Sequence, residues 1–158
     1  MKCVACGATM KKTRGDYAYA SLPGVTLRDV EIWRCSACGE EEVQIPRIEA
    51  LNHAIASGLV RKHGRLSPPE VRFLRKLLGW SGVDFAKHFG VTPETVSRWE
   101  SGKKQMGPVA ERLLRLCIAT QAPVEDYGVD DLQSVEEDDE PSAMTLKTTR
   151  TGWKAVAA

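Results

Sequence analysis

The sequence predicts an α+β fold in two parts: a small N-terminal domain built from a β-hairpin and a helix, and an all-α C-terminal domain. Near the N-terminus, two Cys-x-x-Cys pairs enclose a segment of alternating apolar and polar residues. After residue 68, apolar residues recur instead at three- and four-residue steps, which is typical of helices. We expect a first domain at 1–59, a linker at 60–68, a second domain at 69–122 and a tail at 123–158.

The cysteines of the N-terminal domain have the spacing of a metal site. They form two pairs, each followed by glycine: Cys3, Cys6, Cys35 and Cys38. Two such turns direct four thiolates toward one point, which suits tetrahedral zinc and leaves no open coordination position. We therefore expect one structural zinc ion per chain. A rubredoxin-like iron site and a redox switch that releases metal are the alternatives, and disulfides do not suit a reducing cytosol.

Residues 16–34 predict the hairpin that separates the two cysteine pairs. Apolar residues alternate on both sides of Pro23 and Gly24, which predict the turn. The hairpin would bring both cysteine pairs to its open end, where the metal replaces the core that a small sheet lacks. Metal removal should then unfold this domain. Pro46 next predicts the first turn of a helix that ends near Gly58.

The run VRKHGRLSPP, residues 60–69, is polar and basic and closes on two prolines, which indicates a solvent-exposed linker at 60–68. Contact of its basic side chains with a nucleic-acid backbone is the alternative. Ser67 then predicts the N-cap of a helix from Pro69 to about Leu78, and Gly79 predicts its end.

The run WSGVDFAKHFGVTPETVSRWESG, from Trp80 to Gly102, predicts two short helices. They meet at Gly90, which can adopt the positive φ that a sharp turn requires. Thr92 predicts the N-cap of the second helix, followed by a proline at the first helical position, and this helix extends to about Ser101. The pattern is that of a helix-turn-helix, whose second helix enters the major groove of double-stranded DNA.

The outward face of that second helix holds the candidate DNA-reading residues, since Val96 and Trp99 are predicted to face inward. Arg98 is the first candidate because its planar guanidinium can donate two bonds to guanine. The candidates for base contacts are Glu94, Thr95, Ser97 and Arg98. The candidates for phosphate contacts, which fix register without reading sequence, are Ser81, Thr92, Lys103 and Lys104. Helix capping by Ser81 and solvent exposure of the two lysines are the alternatives.

A last helix carries an apolar stripe of Val109, Leu113, Leu116 and Cys117. One recognition helix reads only a few base pairs, so we expect a homodimer on two half-sites. Leu114 and Ile118 flank the stripe, where they could supply the dimer contact or complete the core.

Charge is distributed unevenly along a chain whose formal net charge is +1. Residues 67–122 carry nine Lys/Arg against five Asp/Glu, whereas 123–141 carry nine acids and no base. The acidic stretch is typical of a solvated, disordered tail, and its alternative role is to cover the basic surface until DNA displaces it. Residues 142–158 show no periodic pattern and are expected to be disordered. Without a membrane-spanning run or a signal peptide, we expect a cytoplasmic protein with no membrane partner.

Both motifs together resemble a known family. The motifs that carry the resemblance are Cys3-x-x-Cys6, Cys35-x-x-Cys38-Gly39-Glu40, FAKHFGV and VSRWESG. Over about residues 1–122, the chain resembles the MqsA antitoxins, which combine a YgiT-type zinc finger with an Xre-type helix-turn-helix. The resemblance implies a zinc domain that binds a protein toxin, usually a messenger-RNA-cleaving ribonuclease. It also implies a dimeric C-terminal domain that binds operator DNA and represses its own operon.

Carried residue by residue, the resemblance places zinc ligation on the four cysteines and a base contact on Arg98. Gly82 and Glu94 depart from the glutamine and asparagine of the family pattern, so the operator sequence is not expected to carry over. We expect a non-enzymatic antitoxin and transcription repressor, since no nucleophile–base pair points to catalysis. The alternatives are a stand-alone zinc-containing regulator that senses metal or oxidant, and a zinc-ribbon protein that binds RNA or acts as a scaffold.

Overall fold

The computed structural model describes residues 1–121 and 143–156, in which a mixed sheet packs beside five helices. The strands are β1 (Met10–Ala18), β2 (Val25–Cys35), β3 (Glu41–Gln44), β4 (Met144–Thr148) and β5 (Trp153–Val156). The helices are α1 (Ile48–Arg61), α2 (Pro68–Leu77), α3 (Gly82–Phe89), α4 (Pro93–Glu100) and α5 (Pro108–Gln121). The α+β class is confirmed. No helix within these ranges is long and apolar enough to cross a membrane.

The sheet is built around β2, its longest strand. β1 pairs with it antiparallel from Met10 opposite Cys35 to Ala18 opposite Thr26, which confirms the predicted hairpin. The pairing of β1 with β2 contains a bulge that includes Asp29 of β2, whose φ is 61°. On the opposite edge of β2, different strands pair before and after Asp29. β3 pairs antiparallel beyond the bulge and β4 pairs parallel before it, with β5 antiparallel to β4 on the outside.

The expectation of a disordered chain end is wrong for residues 144–156, which form β4 and β5. Neither strand has a clear alternating pattern, and β4 pairs with residues of β2 more than a hundred positions away, whereas β5 pairs with β4. Long-range pairing of this kind leaves no local signal in the sequence. The acidic stretch 123–141 lies outside the described residues.

Local helix signals were mostly reliable. Ser67 and Glu70 form the capping box that begins α2, and Gly90 adopts a φ of 63° between α3 and α4. α1 differs from the prediction at both ends: it begins at Ile48, after Arg47 in a left-handed conformation, and it continues past Gly58 to Arg61. Its last turn continues because Leu59 and Val60 are buried in the core.

One apolar core extends from the sheet through the helices. Buried side chains of β2, β4 and α1 pack in the same cluster as those of α2 to α5: Leu27, Leu146, Leu51, Ile55, Leu74, Phe85, Val96, Leu114 and Ile118. The two parts of the chain therefore share an interior.

Three residues of the connection between α1 and α2 are also buried, contrary to the expected solvent-exposed linker: Lys62, Arg65 and Leu66. Lys62 forms an ion pair with Glu70 at 3.1 Å, and Arg65 pairs with Glu111 of α5 at 2.6 Å. Glu111 is also paired with Arg115 at 2.8 Å, and Arg115 is fully buried. Each charge in this interior has an opposite charge beside it, which makes its burial tolerable.

This arrangement turns α5 differently from the prediction. Leu114 and Ile118 are fully buried, so they complete the core and are not available for a dimer contact. Three residues of the predicted apolar stripe are exposed: Val109 is 79% exposed, and Leu113 and Leu116 are each 40% exposed.

Candidate functional sites

The four predicted cysteines converge at the open end of the hairpin. The Sγ atoms of Cys3 and Cys38 lie 3.6 Å apart, those of Cys6 and Cys35 lie 3.5 Å apart, and all four lie within 4.8 Å of one another. Four sulfurs each about 2.3 Å from a zinc ion in a tetrahedron would be separated by about 3.8 Å. Both pairs are close to that separation, so the four cysteines could hold one tetrahedrally coordinated metal ion.

Two similar turns hold the sulfurs in place. The Gly7 amide donates to the Cys3 carbonyl at 2.9 Å, and the Gly39 amide donates to the Cys35 carbonyl at 3.0 Å. Both glycines have positive φ, 74° and 79°, a conformation that residues with a Cβ rarely adopt. The spacing Cys-x-x-Cys-Gly thus closes each turn and directs its two thiols to the same side.

Electrostatics within the cluster favour a bound cation. Amides of Cys38 and Ala37 lower the pKa of the Cys35 thiol to about 6. The Glu40 amide lowers the pKa of Cys38, but hydrogen bonds with Cys6, Cys35 and Cys3 outweigh it and raise that pKa to about 12. Without a cation, ionising one thiol thus opposes ionising its neighbour, so four thiolates require positive charge between them.

The predicted base-contact residues lie on α4. Val96 and Trp99 are buried, as predicted, with 2% and 5% of their surfaces exposed. Glu94, Ser97 and Arg98 are exposed on the other side of the helix, and Thr95 is half-buried. The four candidates thus lie on one accessible surface at and after the N-terminus of α4.

The predicted phosphate-contact residues lie at the starts of α3 and α4 and in the turn after α4. Thr92 caps α4 by accepting the Thr95 amide at 3.2 Å, and Ser81 caps α3 in a reciprocal pair with Asp84. Both hydroxyls therefore have structural partners. Lys103 and Lys104 are exposed in the turn after α4.

Sequence reasoning missed the residue that anchors α4. Glu100 ends this helix and is paired with Arg72 and Arg75 of α2, at 3.1 and 2.5 Å. A carboxylate at a helix C-terminus interacts unfavourably with the helix dipole. In the sequence, this unfavourable position was the one indication that Glu100 is paired with a basic residue of another element. Arg75 also donates to the Trp80 carbonyl at 2.7 Å, so one guanidinium joins α2, the start of α3 and the end of α4.

Comparison with known protein families gives a match to the first part of the chain. The family described as the antitoxin component of bacterial toxin-antitoxin systems, MqsA, matches residues 1–121. The match includes the cysteine cluster and all five helices and ends before β4 and β5. No curated protein matches the chain.

Proposed function

Because the chain belongs to the MqsA antitoxin family, we propose that it neutralises a protein toxin and represses its own operon. The family match over residues 1–121 carries this proposal. The matched residues contain both a four-cysteine cluster and an exposed helical surface with candidate DNA-reading residues.

The N-terminal part, 1–59, is proposed to hold one zinc ion and to bind the toxin, an RNA-cleaving enzyme. Zinc would supply a structural cross-link between the two turns, since four thiolates leave no position for a substrate or water. Cys3 and Cys6 precede β1, and Cys35 ends β2, so the ion would fix both strands at the same end. A toxin would then meet a surface held in shape by the metal.

The helical part, 69–122, is proposed to bind operator DNA as a helix-turn-helix. Arg98 would read a guanine with its two parallel N–H groups, and Thr95 and Ser97 would contact neighbouring base edges. Glu94 would accept a bond from a cytosine amine. Thr92, Ser81, Lys103 and Lys104 would contact phosphates, through the lysine ammonium groups and the amides at the two helix starts.

The exposed face of α5 is proposed as the homodimer contact. Val109, Leu113 and Leu116 follow one another at steps of four and three residues, so they form a single stripe. An apolar stripe of this kind on a helix surface is stabilised by pairing with the same stripe of a second copy.

The proposal is tested by growing cells that express the neighbouring reading frame, alone and together with this chain. Growth arrest that this chain relieves, together with formation of a complex between the two purified proteins, is the expected result. A harmless neighbour, with specific operator binding retained, would instead support a stand-alone regulator. Loss of that operator binding on chelation or oxidation would identify the signal as metal or oxidant.

A further inference from the structure

The edge of β2 holds a strand that comes from beyond the family match. β4 pairs with β2 in parallel, from Met144 opposite Val25 to Lys147 opposite Arg28. The Met144 amide also donates to the Gly24 carbonyl at 2.9 Å. Leu146, in the middle of β4, is fully buried. A segment outside residues 1–121 thus adds main-chain pairing and one core side chain to the sheet.

The start of α1 fastens the turn between β4 and β5. Arg47 donates to the Thr148 hydroxyl at 3.0 Å, to the Gly152 carbonyl at 3.3 Å and to the Thr149 carbonyl. The Trp153 indole donates to the Pro46 carbonyl at 3.0 Å. Arg47 has a φ of 49°, an unfavourable conformation for a residue with a Cβ, and it sits where the guanidinium makes these bonds.

Helix α1 also leaves room for the first side chain of β4. A Cβ placed on Gly58 would lie 2.3 Å from Met144 Cε and 2.9 Å from its Sδ. A helix with glycine at an interior position is less stable than one with alanine. At position 58, however, the absence of a Cβ leaves space for the Met144 side chain. The β2 edge, Pro46, Arg47 and Gly58 all belong to the part of the chain that the family match covers.

We propose that these features form a strand-binding groove whose ligand is the chain's own residues 143–156, held as a detachable strap. The strap follows the general mode of strand addition, in which main-chain bonds supply affinity and pockets for alternate side chains supply selectivity. While it is bound, the edge of β2 is closed to strands of other chains; when it leaves, that edge is open. The inference does not depend on the proposed antitoxin function.

The test uses the full zinc-loaded chain with a specific protease site placed within residues 123–141. After cleavage, the two fragments should remain together in gel filtration. An excess of a fluorescent peptide of residues 143–156 should then replace the native strap, without loss of hydrogen-exchange protection in α2 to α5.

The peptide variants give a matched comparison. Leu146→Asp places a carboxylate in the apolar core and should weaken peptide binding by more than about tenfold. Lys147→Asp puts the same group on the next, exposed residue and should bind within about threefold of the native peptide, because surface substitutions have small effects.

A second measurement needs no cleavage. In the intact chain, Leu146→Asp should expose the amides of β4 and β5 to hydrogen exchange, including the Met144 amide that donates to the Gly24 carbonyl, while α2 to α4 stay protected. Unfolding of the whole protein by this substitution would overturn the proposal, because residues 143–156 would then belong to the folding core. Dissociation of the fragments on cleavage, or equal binding of both variant peptides, would overturn it as well.

Discussion

In the cysteine cluster, each of the four sulfurs occupies one corner, so replacing any one of them should abolish tight metal binding. Cys35→Ser should reduce bound zinc from about one ion per chain to near zero after dialysis against a chelator, since a hydroxyl does not replace a thiolate ligand. Zinc content by elemental analysis checks this. Cys117→Ser is the control, because that thiol lies in α5, and it should leave the zinc content unchanged. Full zinc retention in Cys35→Ser would refute four-thiolate coordination.

Arg98 carries the sharpest residue-level prediction for the DNA surface. Arg98→Ala should weaken operator binding by about 1–3 kcal/mol and relax base preference at one position, because a bidentate contact to guanine is lost. Titration of labelled operator at fixed salt measures both effects. Arg112→Ala removes the same charge from an exposed position of α5 and should have a smaller effect on affinity and none on base preference. Equal losses in the two variants would contradict base reading by Arg98.

At the residue scale, sequence reasoning succeeded where chemistry is local. The cysteine turns, the capping residues Ser67 and Thr92 and the left-handed Gly90 each depend on neighbours within a few positions. The partners of Glu100 and Glu111 could not be predicted in the same way. Apart from Arg115, four positions after Glu111, they lie 25 to 46 positions away, and charged residues in a helix are ordinarily solvent-exposed.

Among the elements, α4 depends on Glu100 for its attachment to α2. Burial raises the pKa of Glu100, but hydrogen bonds and charge from Arg75 and Arg72 outweigh it and hold the pKa below its ordinary value of 4.5. A carboxyl with a lowered folded pKa stabilises the fold above pH 4.5, and this contribution is lost as the pH falls through the folded pKa.

Glu100→Gln should therefore destabilise the protein by about 1–3 kcal/mol near neutral pH. The cost should shrink as the pH falls from 4.5 through the lowered folded pKa, below which the carboxyl of the unsubstituted protein is also neutral. Urea unfolding at a series of pH values measures the difference. Glu94→Gln, on an exposed position of the same helix, is the control. A constant difference between Glu100→Gln and the native chain at every pH would contradict the ion-pair explanation.

Helix α5 shows why an apolar stripe alone can mislead. Its inward face mixes Leu114 and Ile118 with the charged pair Glu111 and Arg115, so the face with more apolar residues is the exposed one. Helical periodicity was correct, but the direction of the helix depended on ion pairs that the pattern does not contain.

The exposed stripe leads to a prediction about assembly. Leu113→Asp should convert a dimer to a monomer, because a carboxylate in an apolar contact loses its hydration without gaining a partner. Sedimentation velocity over a concentration series measures this. Lys76→Asp, at an exposed position of α2 and away from the stripe, is the control and should remain dimeric. A dimer that survives Leu113→Asp would move the contact to another surface.

For the whole molecule, the sequence predicted two parts, but the buried contacts that join the sheet to the helices had no signal in the sequence. Lys62 and Arg65 have the composition of a solvated linker, and only the fold places Glu70 and Glu111 opposite them. β4 likewise has no sequence signal, since its place in the sheet depends on Gly58, Arg47 and the β2 edge.

These buried contacts predict that the sheet and the helices unfold together. Glu111 accepts bonds from Arg65, Arg115 and the Leu66 amide, and Arg115 also donates to carbonyls at the end of α1. Glu111→Gln leaves two buried guanidinium groups without their counter-charge and should cost about 3–5 kcal/mol. Because the core is continuous, we expect one urea transition and a parallel loss of hydrogen-exchange protection in β2 and α5.

The matched control for this prediction is Arg112→Gln, one residue further along α5 on its exposed face. It should change the stability by less than about 0.5 kcal/mol, because surface substitutions away from buried networks have small effects. If Glu111→Gln lowered protection in α5 while β2 kept its native protection, the two parts would be independent folding units. A parallel loss in both would mean that removing the metal from the cysteine cluster also destabilises the helices, through the shared core.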